Sequence, residues 1–239
     1  MASSSSNQYA NRLLRNMSAN ALALIGPGLE ATRLNLHQSL REPGEKIDYV
    51  YFPESGVISL VSPMLNGHAP ELASVGREGL VGCVAAVGSH EAYSRWLVQV
   101  PGTALRCPAK RLERAFDENA GLRQYVVCYL EAFLTQTMQS VACNAIHPVE
   151  ARCARWILMM RDRSDQDELP LTQEFLAEML SVHRSSVVLA NRSLQNAGFI
   201  RQRRGTIAVI DREGLEEASC ECYRMVRNRF EALLPGTFR

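Results

Sequence analysis

The strongest structural signal in this sequence lies in residues 171–211, which read LTQEFLAEMLSVHRSSVVLANRSLQNAGFIRQRRGTIAVID. Thr172 is suited to cap the N-terminus of a helix, and the residues after it place apolar side chains at helical spacing. The segment 181–183 predicts a short turn, because serine favours turns over helix interiors. A second helix follows and is predicted to end at Gly198, which can adopt a left-handed conformation. The stretch therefore predicts two helices joined by a tight turn.

A β-hairpin is predicted directly after the second helix. Residues 199–210 are apolar at both ends, and Arg204-Gly205-Thr206 is suited to the turn between them. Two helices with a tight turn, followed by such a hairpin, describe a winged helix-turn-helix. We expect the outward face of the second helix to comprise His183, Arg184, Ser185, Val188, Asn191 and Arg192.

Positive charge is concentrated in this stretch, although the whole chain is nearly neutral. The chain has 26 Lys and Arg against 25 Asp and Glu, a formal net charge of +1. Between residues 182 and 206 the charged side chains are Arg184, Arg192, Arg201, Arg203 and Arg204. Such a local excess of arginine is expected of a surface that contacts DNA phosphates. The alternative, a solvated face of an ordinary small domain, explains the charge but not the turn and hairpin beside it.

Several short motifs in the same region carry a resemblance to a known family. They are LTQE at 171–174, Ala177, HRSSV at 183–187, LQNAGFI at 194–200 and RGTI at 204–207. Together they resemble the C-terminal DNA-binding domain of the Crp/Fnr family, the bacterial regulators typified by the cyclic-AMP receptor protein. The resemblance implies a base-reading role for Arg184. Ser185 and Leu189 depart from the glutamate and arginine that are common at these positions, so the operator sequence stays open.

The resemblance assigns roles to individual side chains of the recognition helix, residues 183–196, and of the hairpin. We expect base edges in the major groove to be contacted by His183, Arg184, Ser185, Ser186, Val188 and Leu189. We expect DNA phosphates to be contacted by Thr172, Gln173, Arg192, Arg203, Arg204 and Thr206. For Arg192, capping of the recognition helix is the alternative.

Residues 30–108 have a different character and predict β-structure. Short strand-like runs occur at 49–52, 56–61, 72–75, 96–100 and 103–107. Turn-forming pairs of Pro, Gly and Asn separate them, and many short strands with such turns predict a sandwich or jelly roll. The order of these runs resembles the sensor domain of the Crp/Fnr family, a β-roll that binds a cyclic nucleotide in many members.

The residues that bind the nucleotide in those members are only partly present here. Gly79 and Gly82 match glycines of the binding motif, but Leu80 stands where a glutamate would contact the ribose. The phosphate-binding arginine aligns near Tyr93, and Arg95 would point elsewhere by strand alternation. Because a buried phosphate without a charged partner is costly to desolvate, we expect no dependence on cyclic AMP. Any ligand pocket in the roll is expected to involve Arg77, Glu78, Gly79, Leu80, Gly82 and Arg95.

A long helix is predicted between the two halves of the chain. After Gly121, the residues up to Ala145 contain neither Gly nor Pro, which allows roughly six helical turns. Length and position resemble the dimerisation helix of the family, and packing on the β-roll alone is the alternative. The hinge to the next helix is predicted at residues 144–148, where Pro148 suits the first turn of a new helix. His147 is expected to make a cap or hinge contact there in preference to acting as a pH sensor. Near-heptad spacing predicts a dimer face of Val126, Leu130, Phe133, Thr137 and Val141.

These elements predict an α+β chain in four parts. A disordered tail spans residues 1–8, and a cyclic-nucleotide-binding-like jelly roll spans residues 9–116. The dimerisation helix spans residues 117–146, and a Crp-type winged helix-turn-helix domain spans residues 147–239. Within the last part, one terminal helix is predicted after Asp211.

The seven cysteines do not predict a metal site or a disulfide framework. They are odd in number and scattered, and they form no Cys-x-x-Cys pair or zinc-finger spacing. Cys220-Glu-Cys222 is the one close pair, and we interpret it as two residues near a terminal helix rather than a redox or metal motif. Because no cysteine precedes Cys83, the iron–sulfur sensors of some Crp/Fnr members are disfavoured. We therefore expect no metal and no cofactor.

The sequence thus predicts a homodimeric regulator that binds a pseudo-palindromic site on double-stranded DNA. The resemblance adds RNA polymerase as a partner, and the cytoplasm is the expected compartment. The chain lacks an apolar run of ~20 residues and a secretory signal, so no contact with a membrane is expected.

Three alternatives remain at this stage. The first is a ligand-responsive regulator, whose effector is a cyclic nucleotide, a hydrophobic metabolite or a thiol-reactive signal at Cys83 or Cys107. The second is a module that docks a protein instead of DNA. The third, an enzyme, is not favoured, because the five histidines form no paired motif and no nucleophile elbow, P-loop or dinucleotide fingerprint is present.

Overall fold

A computed structural model describes residues 8–164 and 166–238 of the chain. All but the last residue of the predicted tail, 1–8, lies outside the described residues. The described chain begins with two short helices, α1 (Arg12–Arg15) and α2 (Ala19–Ile25). The side-chain oxygen of Asn11 accepts a hydrogen bond from the backbone N–H of Leu14 at 2.9 Å and so caps α1.

In the described residues, seven strands build the β-roll. They are β1 (Glu30–Leu34), β2 (Ser39–Arg41), β3 (Tyr49–Pro53), β4 (Val57–Val61), β5 (Glu71–Val75), β6 (Arg95–Val100) and β7 (Gly102–Pro108). They form two antiparallel sheets, with strand orders β1-β7-β3 and β2-β6-β4-β5. The five predicted strands are confirmed. The sequence did not predict β1 and β2 as strands, because β1 buries only its last residue, Leu34, and β2 buries none fully.

Two helices follow the roll and cover its core. They are α3 (Ala109–Glu118) and the long helix α4 (Ala120–Ile146), whose 27 residues confirm the predicted uninterrupted helix. Asn119 caps α4, since its side-chain oxygen accepts from the N–H of Leu122 at 2.8 Å. The apolar sides of both helices join the roll core through Leu112, Leu122, Val126, Tyr129 and Ala132.

The C-terminal part contains the predicted helix-turn-helix and hairpin. Its elements are α5 (Val149–Ser164), β8 (Glu168–Pro170), α6 (Gln173–Met179), α7 (Arg184–Asn196), β9 (Ile200–Arg203), β10 (Thr206–Val209), α8 (Arg212–Ala218) and α9 (Cys222–Leu233). β8 adds a third strand to the hairpin, in the order β8-β10-β9. The single terminal helix was a wrong prediction, because extended backbone at Ser219 separates α8 from α9. Among the described residues, no helix is both long and apolar enough to cross a membrane.

The apolar core continues across the border between the roll and the C-terminal part. Strands β4 and β6 share one buried cluster with α5, built around Val57, Val61, Val100, Trp156 and Ile157. In the other direction, α9 packs back onto the long helix through Val226, Phe230 and Tyr129. The two parts are therefore joined by continuous packing rather than by a linker alone.

A buried ion pair crosses the same border. Glu78, which follows β5, and Arg163 of α5 are each only 1% exposed, and Arg163 Nε lies 2.8 Å from Glu78 Oε1. Arg163 also donates to the side-chain oxygen of Gln136 on α4 at 2.6 Å. The backbone N–H of Gly76 donates to the Glu78 carboxylate at 3.1 Å. Since a buried charge is tolerated only when it is paired and hydrogen-bonded, this network fixes α5 against both the roll and the long helix.

Candidate nucleic-acid interface

The ends of the two helices in the helix-turn-helix are set by local caps. The hydroxyl of Thr172 accepts from the N–H of Phe175 at 3.1 Å, which starts α6 as predicted. The turn passes through Ser181, which takes a left-handed φ of 51°. His183 caps α7, because its Nδ1 accepts from the N–H of Ser185 at 3.3 Å. Gly198 ends the helix region with a φ of +83°, which is available to glycine without a Cβ clash.

The predicted base-reading side chains lie along the outer side of α7. His183, Arg184, Ser185 and Leu189 are exposed. Ser186 and Val188 are half-buried.

One outward assignment on this helix is wrong. Asn191 is 0% exposed, and neither polar atom of its side chain has a hydrogen-bond partner among the described residues. Asn191 lies four residues after Val187 and three before Leu194, so helical geometry places it on the same inward stripe. Its amide is therefore unavailable to DNA.

Arg184 forms an ion pair with the carboxylate of Glu174 in the helix before it. Its Nε lies 2.6 Å from Oε1 of Glu174 on α6, and both side chains are more than half exposed. Exposed pairs of this kind contribute little to stability, so a guanine edge or phosphate can displace Glu174 at small cost. The pair orients the guanidinium at the start of the recognition helix.

The arginines predicted to contact phosphates are unpaired and accessible. Arg192, Arg203 and Arg204 are exposed, and no ion pair involves them among the described residues. Arg203 and Arg204 occupy the tip of the hairpin, where Gly205 turns the chain with a φ of +77°. Arg192 thus adds positive charge to α7 itself, and Arg203 and Arg204 add it to the hairpin that follows α7.

The remaining predicted phosphate contacts differ in their surroundings. Thr172 is exposed, and Gln173 is half-buried at the first position of α6. The hydroxyl of Thr206 donates to Glu168 of β8 at 3.1 Å, so it is engaged within the hairpin sheet. Glu168 thus places one negative charge beside the arginines, which sequence reasoning did not reveal.

The residues predicted to line a ligand pocket are dispersed. Glu78 belongs to the buried ion pair with Arg163. Arg77 donates from Nε to the backbone oxygen of Ala10 at 3.2 Å. Arg95 donates from Nε to Glu42 at 2.9 Å on the rim of the roll.

The cavity at the expected nucleotide position is nearly filled. Its volume is about 10 Å³, comparable to the space of one water molecule. The ring of Trp96 stacks so closely over Gly82 that an added Cβ would come within 2.9 Å of it. At Gly79 the missing Cβ makes room for Tyr129, whose hydroxyl donates to the backbone oxygen of Leu80 at 2.8 Å. The lining is formed by Leu60, Val75, Leu80, Val81, Gly82, Cys83, Val84, Tyr93, Trp96 and Phe133.

The long helix carries an apolar stripe on its exposed side. Val127, Leu134, Met138 and Val141 are between 43% and 69% exposed. Of the predicted dimer face, Val141 is exposed and Leu130, Phe133 and Thr137 are half-buried. Val126 is 1% exposed and packs in the roll core. The exposed stripe thus contains Val127 and Leu134, each one residue after a member of the predicted face.

Comparison with known proteins agrees with this geometry. Residues 151–218 match the family model of the Crp-like helix-turn-helix domain. Among curated proteins, none matches the chain significantly.

Three solved structures illustrate the shared fold. FixK2 from Bradyrhizobium japonicum has 13% identity and a TM-score of 0.69, covering 80% of this chain and 98% of its own. A regulator from Eubacterium rectale, described as a member of the Crp/Fnr family, has 16% identity and a TM-score of 0.66, covering 87% and 98%. CLP, a c-di-GMP-responsive global regulator from Xanthomonas campestris, has 16% identity and a TM-score of 0.64, covering 80% and 99%. The predicted resemblance and fold class are confirmed, and the proteins from Eubacterium rectale and Xanthomonas campestris are described as regulators.

Proposed function

We propose that this chain, which has a Crp-like helix-turn-helix domain and the fold of Crp/Fnr regulators, is a homodimeric transcription factor of the cytoplasm. It would bind double-stranded DNA as a pair of protomers. The observation that carries the proposal is that Arg192 on the capped helix α7 and Arg203 and Arg204 on the following hairpin are all exposed. These arginines supply the electrostatic part of binding, and Arg184 at the helix start supplies readout of a guanine.

The proposed dimer forms through the apolar stripe of the long helix. Val127, Leu134 and Val141 recur every seven residues, which is the spacing of a two-helix seam. Pairing these stripes about a two-fold axis would place two recognition helices on half-sites roughly 34 Å apart, one turn of DNA. RNA polymerase is the partner through which such a bound dimer would act.

The regulator is proposed to work without a cyclic nucleotide. The nearly filled cavity under Trp96 offers no charged side chain to a phosphate, and Leu80 stands in its apolar lining. A thiol-reactive signal at the roll is also disfavoured. Burial raises the pKa of Cys83 to about 12 and that of Cys107 to about 11, and a protonated buried thiol is a poor nucleophile.

Selection of binding sites from a random DNA pool, with purified full-length protein and no added ligand, tests the proposal. We expect enrichment of a palindrome whose half-sites lie one helical turn apart. Weak, salt-sensitive and sequence-independent binding would instead mean that an effector is required. Absence of any DNA binding would favour a module that docks a protein partner.

A further inference from the structure

Four metal-ligating side chains meet at the hinge between the long helix and the DNA-binding part. Cys143 and His147 lie one turn apart at the C-terminal end of α4, Cys220 lies in the connection from α8 to α9, and Cys222 is the first residue of α9. The sulfur atoms of Cys143 and Cys220 are 3.5 Å apart, and the sulfur of Cys222 is 3.5 Å from Nδ1 of His147. One ligand atom from each of the four falls within 4.8 Å of all the others.

We propose that these four side chains bind a single Zn²⁺ ion. Three thiolates and one imidazole are a ligand set typical of closed, structural zinc sites. Zinc–sulfur bonds of about 2.3 Å and zinc–nitrogen bonds of about 2.0 Å put neighbouring ligands of a tetrahedron about 3.5–3.8 Å apart. The sulfur–sulfur and sulfur–nitrogen distances of 3.5 Å are close to this spacing, and all four ligand atoms lie within 4.8 Å of one another. The sequence concealed the site because Cys143 and Cys220 are 77 residues apart and neither half of the site is a zinc motif by itself.

The side chains around the four ligands are those that a zinc site requires. The Nε2 of His147 lies 3.1 Å from a carboxylate oxygen of Glu221, which leaves Nδ1 directed at the cysteines. This carboxylate–histidine arrangement fixes the ring and the nitrogen that faces the metal. Gln139 Nε2 donates to the sulfur of Cys222 at 3.1 Å, a hydrogen bond that suits a thiolate.

Two buried arginines provide an independent indication of negative charge at this place. Arg152 and Arg155 are 6% and 4% exposed, and the Nε of each lacks a hydrogen-bond partner among the described residues. Another nitrogen of Arg152 donates to the backbone oxygen of Leu180, and Nη1 of Arg155 donates to the sulfur of Met159 at 3.3 Å, so neither guanidinium has a carboxylate partner among the described residues. Three thiolates around Zn²⁺ leave a net charge of −1. Such a site would compensate the two buried cations, which protein interiors otherwise tolerate poorly.

A disulfide between Cys143 and Cys220 is the competing chemistry. It requires the sulfur atoms to approach to about 2.05 Å, and it would leave Cys222 and His147 without a role. Thiols in a reducing compartment favour metal binding over such a bond. An iron–sulfur cluster would distribute its ligands over several irons, whereas the four ligand atoms here all lie within 4.8 Å of one another.

The ion would tie the end of the long helix to the start of α9. Because α9 packs along α4 and α8 follows the hairpin directly, the site would restrain the hinge at which the recognition helix is oriented. This consequence for DNA binding rests on the proposed function, whereas zinc binding itself does not.

Metal analysis of the purified full-length protein tests the proposal directly. The protein is prepared without a metal-affinity step and under reducing conditions, and metals are measured by inductively coupled plasma mass spectrometry. We expect about one zinc per chain, as for other closed four-ligand sites. Cys222→Ser should lose most of this zinc, whereas Cys128→Ser, at a half-buried cysteine outside the site, should retain it. Zinc-free wild-type protein, iron in place of zinc, or a Cys143–Cys220 disulfide in freshly alkylated lysate would each overturn the proposal.

Two further measurements do not depend on the folding of a cysteine variant. Replacing the metal of the wild-type protein with Co²⁺ should give the thiolate charge-transfer and visible d–d bands of a tetrahedral sulfur site. Glu221→Gln should weaken zinc binding about 10–100-fold in competition with a chromophoric chelator, because it loosens the histidine. Octahedral Co²⁺ spectra or unchanged zinc affinity in Glu221→Gln would contradict the assigned geometry.

Discussion

Glu78 of the β-roll and Arg163 of α5 form an ion pair that is sealed from water on both sides. Glu78 belongs to the segment Arg77-Glu78-Gly79-Leu80, in which the sequence suggested a ligand site. Its carboxylate is instead committed to the border between the roll and the DNA-binding part. The segment therefore fixes α5 against the roll.

Removal of one partner from this pair should be strongly destabilising. We expect Arg163→Met to lower the free energy of unfolding by about 3–5 kcal/mol, because it leaves Glu78 buried without a counter-charge. Urea denaturation followed by circular dichroism measures the change. Arg114→Met is the matched control, since Arg114 pairs with Glu118 on the exposed side of α3 and should cost no more than about 1 kcal/mol. If Glu78→Met combined with Arg163→Met is as unstable as the sum of the two single variants, the pairing is not the cause.

Arg184 should contribute to sequence recognition rather than to general affinity. Arg184→Ala should weaken binding to the selected operator by about 1–3 kcal/mol and relax the preference at a single base position. Fluorescence anisotropy with the operator and with single-base variants of it measures this effect. Arg204→Ala, at the hairpin tip, should weaken binding to all of these sequences alike. Equal losses for Arg184→Ala on every sequence would show that it contacts the backbone only.

The arginines at the hairpin tip should determine part of the salt dependence. A plot of log affinity against log salt concentration should lose about one unit of slope for each phosphate contact removed. We therefore expect shallower slopes for Arg203→Gln and Arg204→Gln than for the wild type. Arg114→Gln, which alters an arginine of α3 in the roll, is expected to leave the slope unchanged. Identical slopes for all four proteins would place the hairpin away from DNA.

The exposed stripe of the long helix should hold the dimer together. Leu134→Asp places a charge in the proposed seam, so light scattering after gel filtration should detect monomers. DNA affinity should fall as well, since the two half-sites would no longer be bound as one unit. Val87→Asp introduces the same charge at an exposed apolar position of the roll and should leave the dimer intact. A dimeric Leu134→Asp protein would require another interface.

Cyclic AMP should neither bind nor stabilise the protein. A ligand present at 100 times its dissociation constant raises the free energy of unfolding by about 2.7 kcal/mol. We expect no such change with ~1 mM cyclic AMP or c-di-GMP. At this concentration a site of micromolar affinity would stabilise the protein measurably. Thermal melts and operator binding with and without each nucleotide provide the measurement. A melting temperature that rises with nucleotide concentration would mean that the cavity under Trp96 opens.

Features with a local cause were predictable from the sequence. The caps at Thr172 and Asp211, the turn at Gly205 and the end of α7 at Gly198 each depend on a few neighbouring residues. The long helix was predictable for the same reason, because the residues after Gly121 contain no helix breaker. Local propensity and periodicity are sufficient for such elements.

Features that depend on contacts between distant parts of the chain could not be predicted from the sequence. Helix α4 is apolar on two sides, so the pattern alone could not show that Val126 faces the roll and Val127 faces solvent. Glu78 and Arg163 are 85 residues apart, and the two halves of the cysteine–histidine site are 77 apart. Neither pairing leaves a periodic signal in the chain. The outward assignment of Asn191 failed because polarity outweighed helical position in the prediction.

Val57 and Val61 of the roll share a buried cluster with Trp156 and Ile157 of α5. This cluster limits the exchange of the roll or the C-terminal part for a foreign one, in the laboratory or in evolution. A chimera that joined a foreign sensor ahead of residue 147 would set Trp156 and Ile157 against a surface that does not complement them. The same mismatch would arise if recombination joined the roll to a different C-terminal helix-turn-helix part. Diversification by exchange of modules is therefore obstructed at this border. New specificities would instead be reached by substitutions on the exposed side of α7, where change does not disturb the shared packing.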